Sequence, residues 1–178
     1  MIKDNILTSL NAQINLEYHS SYSYLAMSKY FLEQNLNGFA NWMRVQAQEE
    51  LVHGMKIFDF VNERDGSIQF SDIKKPRQHW DSPLNAFEDA LDNEKIVSES
   101  IYNIVDLSLS ERDHATNAFL QWFVSEQVEE ESLIKEVIDN LKLVGNDGNG
   151  LFLLDRDLSQ RTFTNVDTAL PTDNINGA

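Results

Sequence analysis

A chain of 178 residues, 42% of them hydrophobic, carries enough apolar surface for one domain with a buried core and is not composed like a disordered segment. It has no cysteine, which excludes disulfides, thiolate nucleophiles, zinc ribbons and iron–sulfur clusters. Its 29 acids outnumber 14 bases for a formal charge of −15, a field that repels phosphate backbones and draws in cations.

No stretch approaches the roughly 18–20 continuous apolar residues needed to cross a bilayer, and Met1–Leu10 lacks the zones of a secretion signal. Neither nucleic acid nor membrane is an expected partner. The expected compartment is the cytoplasm, or the plastid stroma if a transit peptide has been removed.

In chain order, four long segments show helical periodicity. The first carries Ile6, Leu10, Ile14, Tyr24, Leu25, Ser28 and Phe31 on one face, with Asp4 at its start. A break at Gln34–Gly38 precedes the second, with Phe39, Trp42, Met43, Gln46, Ile57, Phe60 and Val61. A long break from Arg64 to Pro83 follows, holding Gly66, Pro76 and Pro83, and Ser82-Pro83 reads as a helix start. The third segment carries Phe87, Leu91, Val97, Ile101, Val105 and Leu109, and a weaker break spans Ser110–His114. The fourth carries Phe119, Leu120, Phe123, Ile134, Val137, Ile138 and Leu141. A short fifth helix fits about Asn149 to Gln160, and residues 161–178 read as a polar, flexible tail. Short, long and short connections between four long helices predict two antiparallel hairpins joined by a crossover, an all-α four-helix bundle over residues 1–160. Apolar residues on its outside, such as Phe39 and Leu154, would be consistent with assembly.

Acids interrupt the apolar stripes at one level. Glu17 lies on the first stripe, Glu50 and His53 on the second, Glu94 on the third, and Gln127 with Glu130 on the fourth. Glu17 and Glu50 are 33 residues apart with His53 three later, and Glu94 and Gln127 are 33 apart with Glu130 three later. The two halves are thus offset by 77 residues, and residues three apart are neighbours on a helix surface. Burying an unpartnered carboxylate costs several kcal/mol, so four of them would exceed the ~5–15 kcal/mol that holds a whole domain together. No Lys or Arg interrupts the stripes near that level, so divalent cations must supply the positive charge. Carboxylates with one imidazole suit iron or manganese better than structural zinc. His19, His79 and His114 fall outside the stripes and read as surface residues.

At these residues the sequence resembles the ferritins, specifically the bacterial-type non-haem ferritins. The resemblance rests on Leu16-Glu17-Tyr18, on Gln48-Glu49-Glu50-Leu51-Val52-His53, on Leu120–Glu131 and on Gly148-Asn149-Gly150-Leu151-Phe152. It implies the ferritin-like bundle and a di-iron ferroxidase centre. Glu17 and His53 would hold one iron, Glu94 and Glu130 the other, Glu50 would bridge, and Gln127 would sit at the second iron's edge. It further implies a third iron position at Glu49, Glu126 and Glu129 with Glu130 shared, and Tyr24 as a one-electron donor beside the pair. Leu51 stands where the haem-binding subfamily has methionine, so no haem is expected. The implied activity is oxidation of Fe(II) by O₂, with the mineral stored inside a homo-oligomeric shell of 24 subunits. The rival readings are a di-iron oxidase or oxygenase acting on an organic substrate and a metal-free structural bundle.

Overall fold

The computed structural model describes residues 1–163. It contains five helices: α1 (Asp4–Glu33), α2 (Asn37–Glu63), α3 (Pro83–Ser110), α4 (His114–Val144) and α5 (Gly148–Leu158). Local chemistry sets these limits. Pro83 opens α3 behind Ser82, whose hydroxyl accepts from the Asn85 amide at 3.1 Å. Asp113 and Asp147 cap α4 and α5 in the same way. The first three helices each end on a residue in the left-handed region, Asn35, Asp65 and Arg112. The next amide in each case folds back onto the last turn: Leu36 to Phe31, Gly66 to Val61 and Asp113 to Ser108, at 3.0, 2.9 and 2.8 Å.

The crossover runs the length of the bundle. It starts beside the first half of α1, where the Asn11 side chain donates to Ser67 O and accepts from the Gln69 amide, both at 3.0 Å. It ends beside the last turns of α1, where Trp80 packs edge-on against Tyr30 and donates to Asp89 at 2.8 Å. The chain therefore re-enters at the end where α2 began, and α3 runs parallel to α2. At the opposite end, Lys3 donates to the Glu111 carbonyl at 2.9 Å and Arg64 forks onto Asp113 at 2.8 and 2.9 Å.

Two apolar clusters fill the interior. One, rich in aromatic rings, gathers Tyr24, Phe31, Phe39, Trp42, Phe87 and Ile138, and α5 packs against it through Leu151, Leu154 and Leu158. The other gathers Ile6, Leu10, Ile14, Ile57, Ile101 and Phe123. The interrupting acids separate them. Most of the expected stripes are buried, with particular exceptions. Leu25 and Leu109 stand about half exposed, because each falls at the edge of its helix's inward arc. Phe39 is fully buried in the aromatic cluster, so it offers nothing to an outer face. The apolar residues that do face outward on the first hairpin include Tyr22, Leu25, Leu51 and Met55. The fifth helix ends at Leu158, two residues short of the expected limit, and residues 164–178 of the expected tail lie outside the described residues.

Candidate metal centre

Between the two clusters, Glu17, Glu50, His53, Glu94, Gln127 and Glu130 all lie buried, none more than 4% exposed. Their ligand atoms converge. One oxygen or nitrogen from each of Glu17, Glu50 and His53 lies within 4.8 Å of the others, as does one from each of Glu50, Glu94 and Glu130. Glu50 belongs to both groups, which is the arrangement a carboxylate shared between two cations requires. A third group joins His53 and Glu130 to Glu126.

Hydrogen bonds engage one oxygen each of Glu17, Glu50 and Glu130 and both oxygens of Glu94. Gln13 donates to Glu17 Oε1 at 2.7 Å. Gln46 donates through Nε2 to Glu50 Oε1 at 2.9 Å and to Glu130 Oε1 at 2.8 Å. Gln127 donates to Glu94 Oε2 at 3.1 Å, and the Tyr24 hydroxyl donates to Glu94 Oε1. The second oxygens of Glu17, Glu50 and Glu130 are buried with no hydrogen-bond partner among the described residues, Glu50 Oε2 lying 3.6 Å from His53 Nδ1. A buried acceptor left empty costs on the order of 1–3 kcal/mol, and more when charged. Three in one layer mark a place built for cations, and the donor set of four carboxylates and one imidazole fits iron.

The same crowding sets the proton affinities. Burial, then the Glu50 charge, push Glu17 and Glu130 well above the usual carboxylate range. Burial and Glu50 lift Glu94 to about 8, although the Tyr24 and Gln127 hydrogen bonds pull it back. Burial works against protonated His53, but contact with Glu50 and the charges of Glu17 and Glu126 outweigh it and raise the imidazole to about 9. Glu50 is held low despite burial, because His53 and Gln46 stabilise its anion. The metal-free centre therefore keeps protons at neutral pH that cations must displace.

Around this core the expected third position is uneven. Glu126 reaches the His53 and Glu130 group. Glu49 is half-buried and paired with Arg161 at 2.5 Å, and Glu129 is exposed and outside all three groups. Sequence reasoning missed two glutamines and an arginine. Gln13 and Gln46 each stand four residues before a buried glutamate, one helical turn away, and that repeated spacing was a readable signal. Nothing local announced Arg161, which reaches Gln46 and Glu49 from more than 110 residues away. Trp122, edge-on to His53 with ring centres 5.4 Å apart, walls one side of the imidazole.

The fold and this layer define a class: a four-helix-bundle protein with an intrasubunit centre of carboxylates and histidine. The comparisons then narrow it. The model of the ferritin-like domain matches residues 7–144. The bacterial non-heme ferritin of Staphylococcus epidermidis is 40% identical over 163 residues, 92% of this chain and 98% of that protein. Its counterpart from Staphylococcus aureus is 39% identical over the same span. An engineered closed form of the Archaeoglobus fulgidus ferritin superposes with a TM-score of 0.91 at 47% identity, over 92% of this chain and 100% of that one. The open-pore ferritin of that hyperthermophilic archaeon gives 0.90 at 46% identity, over 91% and 100%. The chain belongs to the ferritin family and is an iron-storage ferritin subunit.

Proposed function

We propose that the subunit is a ferroxidase: it binds two Fe(II) as substrate at Glu17, Glu50, His53, Glu94 and Glu130 and oxidises them to Fe(III) with O₂. Each iron gives up one electron. The observation that carries this reading is Glu50, common to two ligand groups and presenting a buried Oε2 that accepts no hydrogen bond among the described residues. Anionic oxygens favour the more highly charged Fe(III), and the supporting hydrogen bonds fix which lone pairs remain for metal. Gln127 contributes by steering Glu94, and Tyr24 serves as a one-electron donor, a role supported by its hydrogen bond to the same carboxylate. Before iron can bind, His53 and Glu94 must release protons, so Fe(II) uptake is accompanied by acid release.

Product iron is stored as mineral inside a shell of identical subunits, 24 by family likeness, in the cytoplasm. No helix among the described residues is long and apolar enough to cross a membrane. Of the groups expected at a further iron position, Glu126 and Glu130 stand ready, whereas Glu49 is engaged and Glu129 faces solvent. Stopped-flow absorbance on aerobic Fe(II) addition tests the reading. Glu50→Ala is expected to abolish the fast phase, and an undiminished fast phase would remove Glu50 from the chemistry. Continued uptake far beyond the pair separates storage from an oxygenase acting on an organic substrate.

A further inference from the structure

Arg161 is delivered to the centre by the docking of α5 on the first turn of α2. The Asp155 carboxylate accepts from the Gly38 and Phe39 amides at 2.8 and 3.0 Å. The approach is so close that a Cβ on Gly38 would lie 1.6 Å from the Asp155 carbonyl oxygen. One turn on, the Asn41 side chain donates to the Arg161 carbonyl at 2.9 Å and fixes the backbone there. The guanidinium lies over the Trp42 ring, 4.2 Å from its centre. From that shelf its Nη2 donates to Gln46 Oε1 at 2.9 Å and to Glu49 Oε2 at 2.5 Å.

A guanidinium has donors and no acceptor, so the glutamine amide must turn its oxygen toward it. The Gln46 NH₂ then faces the opposite way, where it donates to Glu50 Oε1 and Glu130 Oε1 together. Turned over, the amide would set its oxygen against two carboxylates and its NH₂ against a cation. Both contacts would be repulsive. The two carboxylates so gripped come from α2 and α4, and the other oxygen of each accepts no hydrogen bond among the described residues. We propose that Arg161 is a positioning residue for the metal pair: it locks the Gln46 amide in the one orientation that holds Glu50 and Glu130 with their second oxygens turned to the cations.

This inference rests on the metal-pair reading above, and one titration separates the two. Co(II) is added anaerobically to the full chain in its assembled state, followed by calorimetry and by visible d–d absorption. Arg161→Gln is expected to weaken Co(II) binding about tenfold, the lower end of what loss of a ligand's hydrogen-bond support costs, and to alter the d–d spectrum. Arg161→Lys, which still only donates, is expected to recover most of the affinity. Gln46→Leu, which leaves Arg161 and its α5 contacts in place, is expected to weaken binding by itself and to leave Arg161→Gln no further effect when combined. Equal affinity and spectrum in parent and Arg161→Gln overturn the proposal. So does an undiminished effect of Arg161→Gln in the Gln46→Leu background, which would show a structural staple only. If Arg161→Gln does not fold, Gln46→Leu decides: parent-like Co(II) binding there overturns the proposal. Absence of Co(II) binding in the parent would instead defeat the metal-pair reading itself.

Discussion

The first hairpin, α1 with α2, turns Glu17, Glu50 and His53 inward, and 77 residues later the second, α3 with α4, turns in Glu94, Gln127 and Glu130. Backbone geometry repeats between them and chemistry does not. Where the first hairpin has Gln13, Tyr24 and Gln46, the second has Ala90, Ile101 and Phe123 at the matching places. The donors thus come mostly from one side: Gln13 serves its own hairpin, Tyr24 serves Glu94 across the bundle, and Gln46 serves both. Among the described residues the second hairpin returns Gln127, which serves Glu94, and Ser100, which donates to Gln13. The consequence is visible in proton affinity. Glu50, backed by His53 and Gln46, is held below the usual carboxylate value, whereas Glu94 is lifted to about 8. Glu50 alone among these acids is held as an anion, while protons are kept on both hairpins, by Glu17 and His53 on the first and by Glu94 and Glu130 on the second.

Acidity should separate these roles most strongly. In the metal-free protein Glu94 keeps its proton up to about pH 8, whereas the unfolded chain loses it near 4.5. The fold binds the extra proton in that window, so stability falls as pH rises through it. Glu17 and Glu130, also raised, act in the same direction. His53, raised to about 9 from 6.5, adds stability that is full below 6.5 and lost as pH climbs through 9. Glu50, depressed, acts the other way: its contribution is present above 4.5 and lost as pH falls through its lowered value. Thermal melts of metal-free protein from pH 5 to 9 are expected to show declining midpoints, with bound Co(II) flattening the decline. A metal-free profile that rises across this range would contradict the burial of these acids.

Making the second hairpin copy the first is the next largest perturbation. Gln127→Glu replaces the amide that donates to Glu94 with another buried acid, and is expected to destabilise metal-free protein by about 3 kcal/mol, as a poorly compensated buried charge does. Urea unfolding with and without Co(II) measures it, and metal should restore much of the loss. The smallest change erases a difference in the other direction. Tyr24→Phe removes the hydroxyl that reaches Glu94, with an expected cost of about 1 kcal/mol and a further rise in the Glu94 proton affinity. A proton-release measurement on Co(II) binding near pH 8, where Glu94 is about half protonated in the parent, made in buffers of different ionisation enthalpy, would register that rise. Unchanged proton release would detach Tyr24 from Glu94.

Much of this was legible in the residues. Ser82-Pro83 marked the start of α3, the crossover length dictated the topology, and the acids announced themselves by falling on apolar stripes at equal spacing. Periodicity reports which way a side chain points along its own helix, and for Glu17, Glu50, Glu94 and Glu130 that was enough. It resolved edges less well: Leu25 and Leu109 sit where an inward arc shades into solvent, and Phe39, on the stripe of α2 yet also named for the outer face, packs between Phe31 and Phe87 as the stripe implied. Arg161 was beyond its reach for another reason. That side chain's position depends on how a short terminal helix docks on a distant first turn, a tertiary fact that no local pattern encodes. No Lys or Arg interrupts the stripes near the acids, yet in the folded molecule Arg161 reaches Glu49 beside them from beyond α5.

The contact between Gly38 and Asp155 carries one more consequence. A helix advances by about 100° per residue, and position 38 has no space for any atom beyond hydrogen. One residue inserted or deleted within α5 between Gly148 and Asp155 would therefore swing the carboxylate about 100° off its seat relative to the residues before it. That stretch of α5 thus behaves as a ruler of fixed length, intolerant of the small insertions that surface connections absorb.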